Sequence, residues 1–400
     1  MDKNENESLK TLVATAGIYF LLFWLSGALI PFFPLWLDHQ GLSPDQIGIV
    51  VSLSFLPKLI GNPLIAHIAD STGKANRLIV ALLLYSVTVY LCYFFADEFV
   101  AILLLTLAAH FGTSPLGPLM DRVSISIRKN GRDFYGNIRL WGSTGFALSA
   151  LCAGYIVSGL GVAYVMTIPI TILTISIFAS RYLPVEKNTK KRVERQHLGD
   201  PPLVQLIRRP ELLAVIVASA IIQSSNGFLY SFSSIYWQQR GYTTFDISVF
   251  WGVGIGFEII FFFISNRVVD RLGALPLIML SGIFSGLRWF VLGMTDTREF
   301  ILLAQILQCF TISGNVSAIM AYIRQNAGAG YKTTAIAMYT TLAMGVFIFG
   351  SIQLGKWMYI TLEISGFYGM AVVSLIGALV AFTVILYKFY THEGVAAENA

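Results

Sequence analysis

Residues 41–73 read GLSPDQIGIVVSLSFLPKLIGNPLIAHIADSTG, and residues 241–273 read GYTTFDISVFWGVGIGFEIIFFFISNRVVDRLG. Each runs from a glycine through an apolar stretch to an Asp-x-x-Gly end. The register is constant: Gly41 falls on Gly241, Ile47 on Ile247, Asp70 on Asp270 and Gly73 on Gly273, and further out Gly27 falls on Gly227. The chain therefore reads as one unit written twice at an offset of two hundred residues. In the middle of the repeated stretch one copy carries Lys58 and the other Glu258. A charge at the centre of a membrane helix costs about 2.5–3.5 kcal/mol on insertion scales, so this asymmetry is where function is sought.

Outside these two stretches the composition is equally one-sided. Of 400 residues, 56% are hydrophobic and 12% charged, against about 25% charged in a soluble domain. The mean hydropathy is +0.69. Twelve apolar runs are long enough to cross a bilayer as helices. They cover 11–37, 46–69, 75–96, 99–127, 134–157, 162–183, 210–237, 246–268, 275–294, 299–324, 333–358 and 365–389. Six precede a polar stretch and six follow it. The expected organisation is an N-terminal half, 1–183, a linker, 184–209, and a C-terminal half, 210–400. The first run is too long for a signal-peptide core and reads as a retained span.

Loop charge sets the expected orientation. One set of loops holds Lys74, Arg77, Arg128, Lys129, Arg132, Arg267, Arg271 and Lys332. The polar stretch adds Lys187, Lys190, Lys191, Arg192, Arg195, Arg208 and Arg209. The alternate loops carry little beyond Arg240 and Arg298. Both termini are expected on the cytoplasmic side. The net charge of +5 reflects this topology, and no nucleic-acid partner is expected. Cys92, Cys152 and Cys309 are scattered and the five histidines dispersed, so neither disulfide nor metal site is expected. No Walker A sequence, nucleophile elbow or H-E-x-x-H is present, and neither cofactor nor enzymatic activity is expected.

Asp70-Ser71-Thr72-Gly73-Lys74 after the second span and Asp270-Arg271-Leu272-Gly273 after the eighth resemble the D-R-x-G-R loop motif of the major facilitator superfamily. The first copy departs from it at Ala66 and Ser71. The resemblance implies an all-α integral membrane protein, with twelve transmembrane helices in two pseudo-symmetric six-helix halves. It assigns Asp70, Gly73, Asp270, Arg271 and Gly273 to a loop that latches the cytoplasmic side. A narrower resemblance rests on Pro34-Leu35-Trp36-Leu37, Gly41-Leu42-Ser43-Pro44, Ser114-Pro115-Leu116, Tyr135-Gly136, Arg139-Leu140-Trp141-Gly142-Ser143, Ile235-Tyr236-Trp237-Gln238 and Arg288-Trp289. Together these look like the bacterial phenylpropionate (hydrocinnamate) permeases, related more distantly to lactose permease and the nucleoside–proton symporters. That resemblance implies a monomer in the bacterial inner membrane that takes up a small aromatic carboxylate by proton symport, the two halves rocking to expose it to each side.

The candidate residues follow. Lys58, directly after Pro57, is a binding site for an anion, or else a structural cation in an ion pair or snorkelling along its stem. Glu258 is the proton-coupling group, or else one end of a permanent salt bridge. The superfamily's packing of helices 5 and 8 makes Arg139 its first candidate partner, and Arg288 is the second; Arg139 is also, beside Lys58, a candidate to hold a substrate carboxylate. The lactose permease pattern of charged helices 4, 5, 8 and 9 is matched in part by Asp121, Arg139, Glu258 and Arg288. Asp121 adjoins Arg122 and reads equally as a structural pair. The cavity-lining helices of the superfamily contribute Tyr19 and Phe23; Gln223, Asn226 and Tyr230; and Gln305, Gln308, Thr311 or Ile312, and Asn315. Amides beside aromatic rings suit a ligand with an apolar body and a few polar groups, and equally suit interhelical hydrogen bonding. His110 reads as a packed polar residue.

A carboxylic acid titrating near about 4.3 is an anion at neutral pH. Its entry against a negative-inside potential costs about 2.3 kcal/mol per 100 mV, which one co-transported proton removes. The alternatives are a sugar or nucleoside symporter, and, in a different class, a membrane receptor or enzyme without transport.

Overall fold

The computed structural model describes residues 3–126, 128–129, 132–133, 135–183, 208–328, 332–361 and 365–398. Most of the expected linker, 184–207, lies outside the described residues. Twelve helices among the described residues are long and apolar enough to cross a membrane: α1 (Lys10–His39), α2 (Pro44–Ala69), α3 (Ala75–Phe95), α4 (Phe99–Ser124), α5 (Leu140–Leu160), α6 (Val162–Ser180), α7 (Pro210–Ser231), α8 (Thr244–Leu272), α9 (Ala274–Met294), α10 (Arg298–Asn326), α11 (Thr334–Thr361) and α12 (Phe367–Thr391). The protein is an all-α, twelve-helix membrane protein. The one sheet among the described residues is a pair of two-residue strands between α4 and α5, with Arg128 opposite Asp133 and Lys129 opposite Arg132.

The duplication seen in the letters is also built into the backbone. After α1, Gly41 turns the chain at φ +81°, and Leu42 N–H donates to Leu37 O at 3.2 Å. Two hundred residues on, Gly241 has φ +86°, and Tyr242 N–H donates to Trp237 O at 3.2 Å. A left-handed residue there disfavours any side chain, which explains both glycines. The next helix is capped alike in both copies. Ser43 and Gln46 exchange hydrogen bonds at 2.9 and 3.3 Å, and Thr243 and Asp246 do the same with two bonds of 3.1 Å between side chain and backbone. These reciprocal boxes satisfy amide groups that a helix start leaves open.

The copies differ where the charges sit. The second span is interrupted between Pro44–Leu53 and Leu56–Thr72. Pro57 lacks an N–H and its ring crowds the carbonyl of residue 53, so the helix breaks just before Lys58. The helix bearing Glu258 runs unbroken over Thr244–Leu272. The tenth span is irregular in another way. It runs as Arg298–Ile306, widens to a π turn over Phe310–Gly314, and resumes as Asn315–Asn326. Such a turn re-aims the side chains that follow it and recurs at functional sites.

Packing divides the chain into two compact units. One comprises Met1–Glu194 with Phe232–Gly252; the other comprises Arg195–Ser231 with Val253–Ala400. Small residues bring helix backbones together in each, since lipid supplies no hydrophobic drive between helices. In the first unit a Cβ at Gly145 of α5 would lie 2.3 Å from the carbonyl oxygen of Phe20 in α1. In the second, a Cβ at Gly377 of α12 would lie 2.8 Å from Ala218 O of α7. The surface is apolar where lipid would lie: Ile60 is 69% exposed and Phe263 71%.

Gly145→Ala is expected to lower the melting temperature in detergent, the overpacking costing about 1–3 kcal/mol. Gly17→Ala, whose Cβ would meet nothing within 4 Å, is expected to leave it unchanged or raise it. Differential scanning fluorimetry of the two variants checks this.

Candidate functional site

Four side chains from three helices meet in the second unit. Arg288 of α9 is fully buried. Its Nη2 donates to Gln305 Oε1 at 2.6 Å and to Gln308 Oε1 at 2.5 Å, both from α10. Gln308 in turn donates from Nε2 to the carboxylate of Glu258 in α8. The result is a polarised chain, guanidinium to carboxamide to carboxylate, in which each group offers what the next one needs. The widened turn of α10 adds a further tie: Ser313 Oγ donates to the main-chain oxygen of Glu258 at 2.9 Å. The face of Trp289 lies 4.1 Å from the guanidinium carbon of Arg288. Trp289 is itself fixed by donation to Ser225 Oγ at 2.9 Å and by stacking on Phe367.

The chain has room because of Gly254, one helical turn before Glu258. A Cβ there would lie 2.4 Å from Gln308 Oε1. Sequence reasoning passed over Gly254. The signal was available: it sits four residues before a mid-span carboxylate, on the same helix face.

Around this chain the second unit is rich in buried polar groups. Ser219 Oγ donates to Asn315 Oδ1 at 2.8 Å, and Asn315 Nδ2 donates to Ser219 O at 2.9 Å. Asn226 Nδ2 donates to the carbonyl oxygen of Gln223 at 2.9 Å. Gln223 Oε1, Asn226 Oδ1, and Nε and Nη1 of Arg288 are buried with no hydrogen-bond partner among the described residues. Tyr230 is within electrostatic reach of both Glu258 and Arg288.

In the first unit Tyr19, 1% exposed, donates its hydroxyl to Asp121 and stacks with Phe23 at 6.1 Å. Lys58 is half-buried, with Nζ 4.8 Å from the ring centre of Phe55. It makes no ion pair among the described residues. His110 Nδ1 lies 3.0 Å from Thr106 O. Arg139 belongs to the helix Tyr135–Leu160, but its side chain, like that of Asp70, lies outside the described residues. Asp270 and Arg271 are exposed at the end of their helix, and Gly73 and Gly273 take φ +63° and +82°. Among the described residues no three His, Cys, Asp or Glu side chains come together as metal ligands.

Twelve membrane-length helices, a duplicated backbone and a carboxylate–amide–guanidinium chain between the helices of the second unit define a secondary active transporter of small solutes. The chain belongs to the MFS_1 like family, whose profile matches residues 12–359, and so to the major facilitator superfamily. It is 28% identical over 364 residues to the "Probable 3-phenylpropionic acid transporter" of Escherichia coli (strain K12), covering 89% of this chain and 93% of that protein. It is 25% identical over 366 residues to the maltose permease of Geobacillus stearothermophilus, covering 90% and 91%. Its structure is similar to the crystal structure of the nucleoside transporter NupG, with a TM-score of 0.81 at 15% identity over 95% of this chain and 98% of that one. At that identity the likeness is one of fold.

Asn315→Leu is expected to destabilise the protein by about 0.6–2 kcal/mol, the range of interhelical hydrogen bonds in membranes. Because Ser219 and Asn315 satisfy each other, the Ser219→Ala and Asn315→Leu double variant should lose less than the sum of the singles, as read by thermal denaturation in detergent.

Proposed function

We propose that this transporter is a proton symporter of the bacterial inner membrane, with both termini cytoplasmic, and that it carries a small aromatic carboxylate such as 3-phenylpropionate. Residues 1–183 and 210–400 act as its two halves, joined by the linker 184–209, and expose the solute to each side in turn. The observation that carries the coupling is the chain from Arg288 through Gln308 to Glu258. A half-buried carboxyl with a donor of its own inside a membrane takes up and releases a proton at a cost its neighbours can meet.

The acid reading of the solute rests on Lys58 and on the similarity to a 3-phenylpropionic acid transporter. Lys58 is a mid-span cation with an aromatic neighbour and no ion pair among the described residues. A carboxylate with an apolar body supplies both the missing charge and the matching surface. A second reading has observations of its own. The maltose and nucleoside transporters among the similar proteins favour a hydroxylated solute, and as a set the similar proteins lean that way. Gln223 Oε1 and Asn226 Oδ1 are buried acceptors of the kind hydroxyl groups would fill.

Uptake into proteoliposomes, with and without an imposed pH gradient, against a panel of aromatic acids, sugars and nucleosides separates the two. Under the first reading 3-phenylpropionate accumulates only with the gradient, and accumulation of a nucleoside or disaccharide instead overturns it. Glu258→Gln is expected to abolish accumulation while leaving exchange of labelled solute; accumulation by this variant would refute the coupling role. Lys58→Ala should weaken binding of the acid more than binding of its neutral amide, and equal loss would make Lys58 structural.

A further inference from the structure

Gln308 is the only direct link between Glu258 and Arg288 among the described hydrogen bonds. A carboxamide has two unlike ends, one acceptor and one donor, on a single rotatable bond. With Glu258 ionised, the observed orientation satisfies both neighbours: the amino end faces the carboxylate and the carbonyl end faces the guanidinium. When a proton from solvent adds to Glu258, the carboxyl becomes a donor through its new O–H. The best partner for that O–H is Gln308 Oε1. Half a turn of the carboxamide brings it there and swings Nε2 toward Arg288, where donor meets donor. Arg288 then keeps Gln305 Oε1 and loses Gln308.

From this geometry we infer that Gln308 is a proton-linked switch, a positioning residue that converts the protonation of Glu258 into the release of Arg288. The inference rests on the coupling role proposed for Glu258 and adds the means by which it reaches a second group. Arg288 suits the receiving end. It is fully buried, and its Nε and Nη1 already have no partner among the described residues. Loss of the Gln308 contact at Nη2 leaves four of its five N–H groups open to a solute acceptor, the fifth staying on Gln305. The switch needs clear space, and Gly254 provides it, since any Cβ would strike the turning amide. Among the described residues the other titratable groups in electrostatic reach of Glu258 are Tyr230 from α7 and Cys309 from α10, beside Arg288 from α9.

The switch has a readout that needs no solute. Trp289 lies against Arg288, so release of the guanidinium alters its surroundings. Trp emission is recorded against pH on the purified, solute-free protein, with Trp289→Phe recorded in parallel to isolate the Trp289 signal. A pH-dependent step is expected in the wild-type protein. It is expected to vanish in Glu258→Gln, in Gln308→Leu and in Gly254→Ala, and to persist in Gln308→His, whose neutral ring keeps one donor and one acceptor. A step that survives in folded Gln308→Leu or Gly254→Ala overturns the switch. So does its loss in folded Gln308→His alongside retention in Gln308→Leu. Should Gln308→Leu not fold, Gly254→Ala carries the test, because it crowds the amide without removing Glu258, Gln308 or Arg288. A normal step without 3-phenylpropionate uptake sinks the solute assignment and leaves the switch standing. No step in the wild-type protein, with the pH-driven uptake intact, sinks the switch alone.

Discussion

Everything polar inside these helices answers to one constraint: hydrocarbon offers no hydrogen bonds, so a charge or amide at mid-span is satisfied from within the protein or pays heavily. The chain from Arg288 through Gln308 to Glu258 is the fullest answer the molecule makes to it. Each member is unfavourable alone, and together they present alternating donors and acceptors. The surrounding architecture serves that chain. The π turn of α10 brings Ser313 to the backbone of Glu258, Trp289 covers the guanidinium, and Gly254 removes the one atom that would block the amide.

The duplicated unit gives the same scaffold two jobs. Turns and caps at 41–46 and 241–246 are built alike, down to the left-handed glycines and the reciprocal boxes. The midpoints diverge in charge and in backbone. Lys58 follows a proline break that opens the helix beside it, whereas Glu258 sits in continuous helix and is held by side chains. A cation next to a break and a carboxyl within a network are suited to different partners. One has a charge to offer beside the break, and the other is held in a set of hydrogen bonds that a proton can rearrange.

Legibility differed sharply between fold and site. The twelve spans could be read because a bilayer imposes a length and an apolarity that survive averaging over twenty residues. The repeat could be read because left-handed turns and helix caps demand particular residues at particular positions, and Gly41, Ser43, Gly241 and Thr243 meet those demands locally. Glu258 and Arg288 stood out for the same reason as Lys58, since a charge is conspicuous against an apolar background. Gln308 stood out only as one of several amides at helical spacing. Nothing local distinguishes an amide that bridges two charges from one that lines a cavity or pairs with a serine, as Asn315 does with Ser219.

By itself the amino-acid sequence determined the class of fold, the duplication, the loop charges that set an expected orientation, and a short roster of expensive residues. Those follow from single-residue energetics and from periodicity, which need no partner. The tertiary structure decided which of these residues meet. It joined Glu258 to Arg288 through Gln308, paired Asn315 with Ser219 and Tyr19 with Asp121, and gave Gly254 its purpose. Hydrogen-bond pairing depends on directions and distances of a few ångströms between helices far apart in the chain, and only the packed helices supply them.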